Sequence, residues 1–246
     1  LGVPDRNAIR SRTVQCADVL QTRDAGDSGR RAFLFQQAHV PDDYADWKRV
    51  VGLYPLVKLP FFEFAKGWQN EAAEQFKASA AGGTQLAEIR RYSPAETPNT
   101  KAAAAVFARL RRDALGVPLI NAADERVLLT AFAPDYEVET TGDYDRIGAL
   151  HWGQGEAPAV DAQRPAAYSR IAFTRYGGRT LVQLVYLIWF SERPDAGWLD
   201  MLSGKLDGLI FRVTLDQEGQ PLVYDSIHPC GCYHMFLPTP AAKPTA

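Results

Sequence analysis

Residues 179 to 190 form a stretch that is apolar on both sides of an extended chain, directly after a pair of glycines. Leu181, Val185, Leu187 and Trp189 fall on one side; Val182, Leu184, Tyr186, Ile188 and Phe190 fall on the other. Successive side chains of a strand point to opposite faces, so this pattern suits only a strand covered above and below. Residues 168 to 176 form a second extended stretch, and Gly177-Gly178 between the two is a two-residue hairpin signal. The chain is thus expected to build a sheet with 179 to 190 at its buried centre.

Further strands follow from the same period of two. Tyr136 to Thr140 alternates, and Thr141-Gly142-Asp143 turns. Leu209, Phe211, Val213 and Leu215 alternate with Ile210, Arg212, Thr214 and Asp216, a half-buried strand. Asp216-Gln217-Glu218-Gly219 turns it back into residues 221 to 227. Before Pro134 the period is helical. Phe61, Phe64, Ala65, Trp68, Ala72 and Phe76 form one stripe at three- and four-residue spacing, with Pro60 in the first turn and Gly82-Gly83 at the end. A second helix is expected from Asn99 or Thr100 to Leu115, with Val106, Leu110 and Ala114 on one face and Gly116 and Pro118 ending it. Residues 124 to 132 lean to helix. Residues 1 to 30 read as an irregular polar entry segment, 31 to 40 as a strand, 47 to 56 as an extended stretch and 81 to 99 as a loop.

Helices first and an antiparallel meander afterwards make an α+β fold, a helical N-terminal half packed on a C-terminal antiparallel sheet. The expected division is a single domain over 31 to 237 and a flexible Pro/Ala tail over 238 to 246, a linker-like segment of the kind that leads to a further domain.

Composition narrows the function. The chain has 246 residues, 46% hydrophobic, enough for a substantial core. Its net charge of -2 leaves no basic stripe for nucleic acid or an anionic membrane. The longest apolar run, 181 to 190, is too short to span a bilayer, which takes about 20 residues. The first residues lack a basic start leading into an apolar stretch, so no signal peptide is read there. Three cysteines make no disulfide framework, which fits a bacterial cytoplasm or periplasm, and the excess of Arg over Lys points to a GC-rich bacterial genome.

The chemistry is concentrated in His228-Pro229-Cys230-Gly231-Cys232-Tyr233-His234. Two of three cysteines and two of four histidines alternate there. In extended chain they would share one face; in a curled loop they would surround one point. Thiolate and imidazole donors suit zinc, with copper as the alternative. The expected metal ligands are two or three of His228, Cys230, Cys232 and His234, completed by His151 and, after it, His39. Asp225, Arg212 and Arg175 are the expected catalytic partners, in a pocket at the end of the 221 to 227 strand. Hydrolysis of a small-molecule or peptide substrate by metal-activated water is the leading expectation. A closed metal carrier or sensor is the non-enzymatic alternative. Thiol chemistry is the other: a Cys-Gly-Cys redox pair, or a cysteine nucleophile with His234 or His151 as base and Asp225 as orienting carboxylate. The histidines and cysteines could also simply pack a turn. Asp207 and Asp225, on or near adjacent strands, and Asp143 with Asp145 beside Arg146 are lesser carboxylate pairs. Trp152, Trp189 and Trp198 are candidate groove linings.

Overall fold

The protein is described from a computed structural model, which covers residues 5–38, 88–153, 155, 157–195 and 203–242, with isolated helical positions among residues 62–77. The chain separates into two compact units, Leu1–Leu86 and Ala87–Ala246.

The first unit opens with helix α1 (Arg6–Leu20), which passes through a π-helical turn over Gln21–Ala25 and is followed by α2 (Ser28–Gln37). Both readings of this region from sequence are corrected. Residues 6 to 20 and 28 to 30 are helical rather than irregular, and residues 31 to 37 are helical rather than extended. The reason lies at the caps. Asp5 accepts the Asn7 N–H at 2.9 Å, and Asp27 accepts those of Gly29 and Arg30 at 2.7 and 3.1 Å. These side chains satisfy N–H groups that have no partner inside the helix. Apolar periodicity is weak here, because Ile9, Val14, Val19, Phe33 and Phe35 remain exposed. The 47 to 56 stretch, the Phe61 to Phe76 stripe, Gly82-Gly83, His39 and Trp198 lie outside the described residues.

The second unit contains two small sheets and one large one. Strand β1 (Glu88–Tyr92) pairs antiparallel with β2 (Tyr136–Thr140), so part of the expected 81 to 99 loop is a strand. Strand β3 (Ala149–Trp152) pairs with β4 (Pro158–Asp161). The large sheet is an antiparallel meander of β5 (Ala167–Tyr176), β6 (Arg179–Arg193), β7 (Gly204–Leu215), β8 (Pro221–Ile227) and β9 (Met235–Pro238), in that spatial order. Gly177 and Gly178 sit at φ of 58° and 75°, where a side chain would be strained, and they close the β5–β6 hairpin.

Helices α3 (Thr100–Phe107) and α4 (Ala122–Ala131) cover one face of this sheet. Ala103, Val106, Phe107, Leu128 and Ala131 from the helices pack with Val182, Leu184 and Tyr186 of β6 and Val213 and Leu215 of β7. Each Val, Leu or Phe among them stabilises the fold by about 1.5–3 kcal/mol, and the alanines by less. The Tyr186 hydroxyl donates to the Leu129 carbonyl at 2.8 Å, tying sheet to helix, and burial pushes this phenol up from its usual range. Helix α3 stops at Phe107, short of the expected Leu115. Arg112 instead bridges to Pro118 and donates to the Gly116 and Thr180 carbonyls at 2.8 and 2.9 Å. Thr239 donates to the Pro221 and Leu222 carbonyls at 3.1 and 2.9 Å, so the start of the expected flexible tail is tied to β8. Among the described residues, no helix is long and apolar enough to cross a membrane.

Candidate functional site

The β7–β8 hairpin builds the site. Its register runs through Ile210 opposite Ile227, and carrying it on sets residues 207–209 across from 228–230. Asp207 and His228, far apart in sequence, thus meet: Oδ1 of Asp207 lies 2.7 Å from Nε2 of His228. The same oxygen accepts the Gly208 N–H at 2.7 Å, which fixes the carboxylate. Gly208 has no Cβ, and one placed there would lie 3.1 Å from Pro229 Cγ and 2.9 Å from the Ile188 carbonyl oxygen. The bare α-carbon is what allows the loop after β8 to lie against β7.

Beyond Pro229 the chain curls. Gly231 N–H donates to the His228 carbonyl at 2.8 Å, and His228 N–H to the Cys232 carbonyl at 3.0 Å. The turn returns Cys230 to the histidine that precedes it. Nδ1 of His228 lies 2.8 Å from Cys230 Sγ and 3.2 Å from the Cys230 backbone N–H. A carboxylate only accepts hydrogen bonds, so Nε2 must carry the proton that faces Asp207. Nδ1 then presents its lone pair to the thiol. The result is a hydrogen-bonded chain from Asp207 through His228 to Cys230, with the sulfur exposed at its end.

The electrostatics follow. The Cys232 backbone N–H, then its thiol, then the His228 ring donate to or polarise Cys230, and its thiol comes down from 9.0 to about 7. Cys232 moves up, because hydrogen bonding to the Cys230 sulfur, and then the charge on it, favour Cys232 keeping its proton. Burial acts to lower His228, but hydrogen bonds to Cys230 and Asp207 outweigh it and leave the ring above its usual 6.5. Two non-glycine residues in the described structure adopt positive φ, Leu206 at 66° and Tyr233 at 56°. They flank this arrangement on either strand, and strained backbone of this kind concentrates at functional sites. The Tyr233 ring stands edge-on to His228 at 6.4 Å.

A second cluster occupies the other face. Arg212 and Asp225 are cross-strand partners on β7 and β8, five and eighteen residues beyond Asp207, and alternation puts Arg212 on the face opposite Asp207. Arg212 Nε donates to Asp225 Oδ1 at 2.6 Å, and its Nη2 lies 2.5 Å from the same oxygen. His234 Nε2 lies 3.1 Å from Asp225 Oδ1 and 2.9 Å from Arg212 Nη2. Asp225 is 2% exposed. Arg212, Asp225 and His234 line an open pocket of about 530 Å³ together with Arg175, Gln183 and Phe236.

Comparison with protein-family models, with curated proteins and with solved structures finds no match.

The site therefore rests on geometry, and the geometry divides the residues expected to act together. Cys230, Cys232 and His228 do converge. His234 does not join them: after the left-handed turn at Tyr233 it lies on Arg212 and Asp225. His151 is exposed on β3, opposite Ala159, and belongs to neither cluster. Among the described residues, no three His, Cys, Asp or Glu side chains gather as a metal-ligand set. Arg175, Arg212 and Asp225 line one pocket, which includes neither Cys230 nor Cys232. Of the base and carboxylate expected for a nucleophilic cysteine, His234 or His151 with Asp225, none touches Cys230; the side chains in line with it are His228 and Asp207. Asp143 pairs with Arg146 at 3.1 Å and Asp145 caps its own turn. Trp152 is exposed.

Proposed function

We propose that this protein is a thiol enzyme in which Cys230 is the nucleophile, His228 its general base and Asp207 the residue that positions the base. The observation that carries the reading is the continuous chain Asp207 Oδ1, His228 Nε2 and Nδ1, Cys230 Sγ, with contacts of 2.7 and 2.8 Å. A nucleophile in hydrogen-bond reach of a base, with the base oriented by a third group, is the arrangement that thiol and hydroxyl catalysis share. His228 takes the Cys230 proton through Nδ1. Asp207 stabilises the imidazolium that forms. The thiolate is left exposed and ready to attack an electrophilic centre.

Alkylation of the reduced protein by iodoacetamide, mapped cysteine by cysteine, tests this. Cys230 should react first, with a rate that rises through a midpoint near pH 7. A thiol at 9.0 brought down to about 7 gains thiolate and loses some intrinsic nucleophilicity, a net advantage of roughly fivefold at neutral pH. Asp207→Ala should keep the ring but move the midpoint towards higher pH. If Cys230 reacts no faster than Cys16 and its profile is insensitive to Asp207, the proposal fails. Elemental analysis of the same sample addresses the zinc or copper expectation: about one ion per chain, lost on replacing Cys230 and Cys232 by Ser, would replace the thiol reading with a metal site.

A further inference from the structure

The nucleophile has a second thiol beside it. Cys232 follows Cys230 after one glycine, both are exposed, and the 228–232 turn closes on itself through two backbone hydrogen bonds. The neighbour that acts most on the Cys230 thiol is Cys232, which lowers it through its backbone N–H and then its own thiol. Gly231, at φ of 93°, has nothing within 4 Å of where a Cβ would stand, so the turn tip is open. An acyl-transferring cysteine has no use for a second exposed thiol in the same closed turn. A thiol that exchanges disulfides does.

Resting on the reading of Cys230 as nucleophile, we infer that the substrate is a disulfide and that Cys232 is the resolving thiol. The Cys230 thiolate attacks one sulfur of the substrate disulfide in line with the S–S bond. A Cys230–substrate bond forms, the substrate S–S bond breaks, and the first substrate thiolate leaves and takes up a proton. Cys232 then loses its proton and attacks the Cys230 sulfur. The mixed disulfide breaks, the second substrate thiol leaves, and Cys230–Cys232 is formed. The substrate gains two electrons and two protons; the protein dithiol loses them. Two equivalents of a small thiol reverse the oxidation and complete the cycle. The asymmetry between the two sulfurs suits this order: the lowered thiol attacks and the raised one waits until the mixed disulfide has formed. A disulfide across a single intervening residue is strained, so the oxidised loop is itself readily reduced.

The experiment is a quenched time course of the reduced full chain with oxidised glutathione at neutral pH, and in parallel with a disulfide-linked peptide, read by intact mass and peptide mapping. The wild-type chain should release two substrate thiols and end as Cys230–Cys232, passing through a mixed disulfide on Cys230. Cys232→Ser should stop at that mixed disulfide. Cys230→Ser should show no fast phase. Cys16 is the internal reference. Exchange with either probe supports the inference, and the faster probe says whether small or polypeptide disulfides are preferred. If Cys230 reacts fast but the wild-type mixed disulfide persists as it does in Cys232→Ser, the resolving role is wrong while the nucleophile stands. If Cys230 is no faster than Cys16 towards both the probes and iodoacetamide, the nucleophile fails as well.

Discussion

Two carboxylates on neighbouring strands each meet a histidine and do opposite work. Asp207 is about a quarter exposed and holds His228 alone; Asp225 is 2% exposed and is held by an arginine as well. Removing a partner from a buried ion pair leaves the remaining charge uncompensated. Asp225→Ala should therefore cost about 3 kcal/mol, roughly 10 °C in melting temperature for a unit of this size, while the Cys230 alkylation midpoint stays near 7. Asp207→Ala should do the reverse, with a small change in melting and a shifted midpoint. The sign is set by the proton. Without Asp207 the imidazolium loses its acceptor, His228 holds a proton less strongly, and Cys230 keeps its own to higher pH, so the rate at pH 7 falls. A thermal melt and an alkylation profile on both variants separate the two roles; equal effects on both readouts would contradict it. Much of the site was visible as residue types. Cys230, His228 and the Cys-Gly-Cys pair stand out because scarce residues cluster. Their partner does not, because Asp207 reaches His228 only through the hairpin register. Counting back from the Asp216–Gly219 turn would have missed it, because the register shifts by one residue between Thr214 and Leu215 and an unbroken count puts Asp207 on the other face. His234 misled for the same reason in reverse: even spacing implies one face only while the chain stays extended, and Tyr233 breaks that.

At the level of elements, legibility followed the strength of the period. Strand β6, apolar on both faces, and the glycine pair before it read directly, since covering both faces and closing a two-residue hairpin each leave one solution. Helix α4 agrees with the lean to helix over 124 to 132 and is secured by Asn121, whose side chain accepts the Ala123 and Asp124 N–H groups at 2.9 Å each. Helices α1 and α2 were missed because they expose their apolar residues, so no buried stripe wrote itself into the sequence. In α2 the run from Ala32 to Phe35 is too short to carry a period at all. On the proposed reading the element that positions the thiol is the β7–β8 junction, and its close packing depends on Gly208. Gly208→Ala would press a methyl against the Ile188 carbonyl, which cannot move without breaking the β6–β7 ladder, and against Pro229, which can. We expect a loss of about 1–3 kcal/mol together with a Cys230 alkylation midpoint displaced upwards, since Pro229 carries His228 and Cys230 with it. A variant as stable as wild type and unchanged in its midpoint would show that the loop does not need this close approach.

For the whole molecule, the decisive fact is where the core lies. Every residue of the principal buried cluster, from Ala103 on α3 to Leu215 on β7, belongs to the Ala87–Ala246 unit. So do Asp207, His228, Cys230 and Cys232, and so does the Arg109–Asp124 ion pair that joins the end of α3 to α4. A unit of roughly 150 residues buries about 70% of the surface its unfolded chain exposes, enough to be stable alone. The meander adds to this, because each strand pairs with the one before or after it in sequence and no long loop must close before contacts form. Residues 87–246 expressed alone should therefore show one cooperative melting transition, keep the full-chain β-sheet signal by circular dichroism and retain the Cys230 midpoint near 7. The two readouts answer different questions. A cooperative melt with an ordinary cysteine profile would mean that the fold is self-sufficient but the loop geometry is not. Loss of the cooperative melt would mean that the buried cluster, though complete by composition, needs residues 1–86 to hold it.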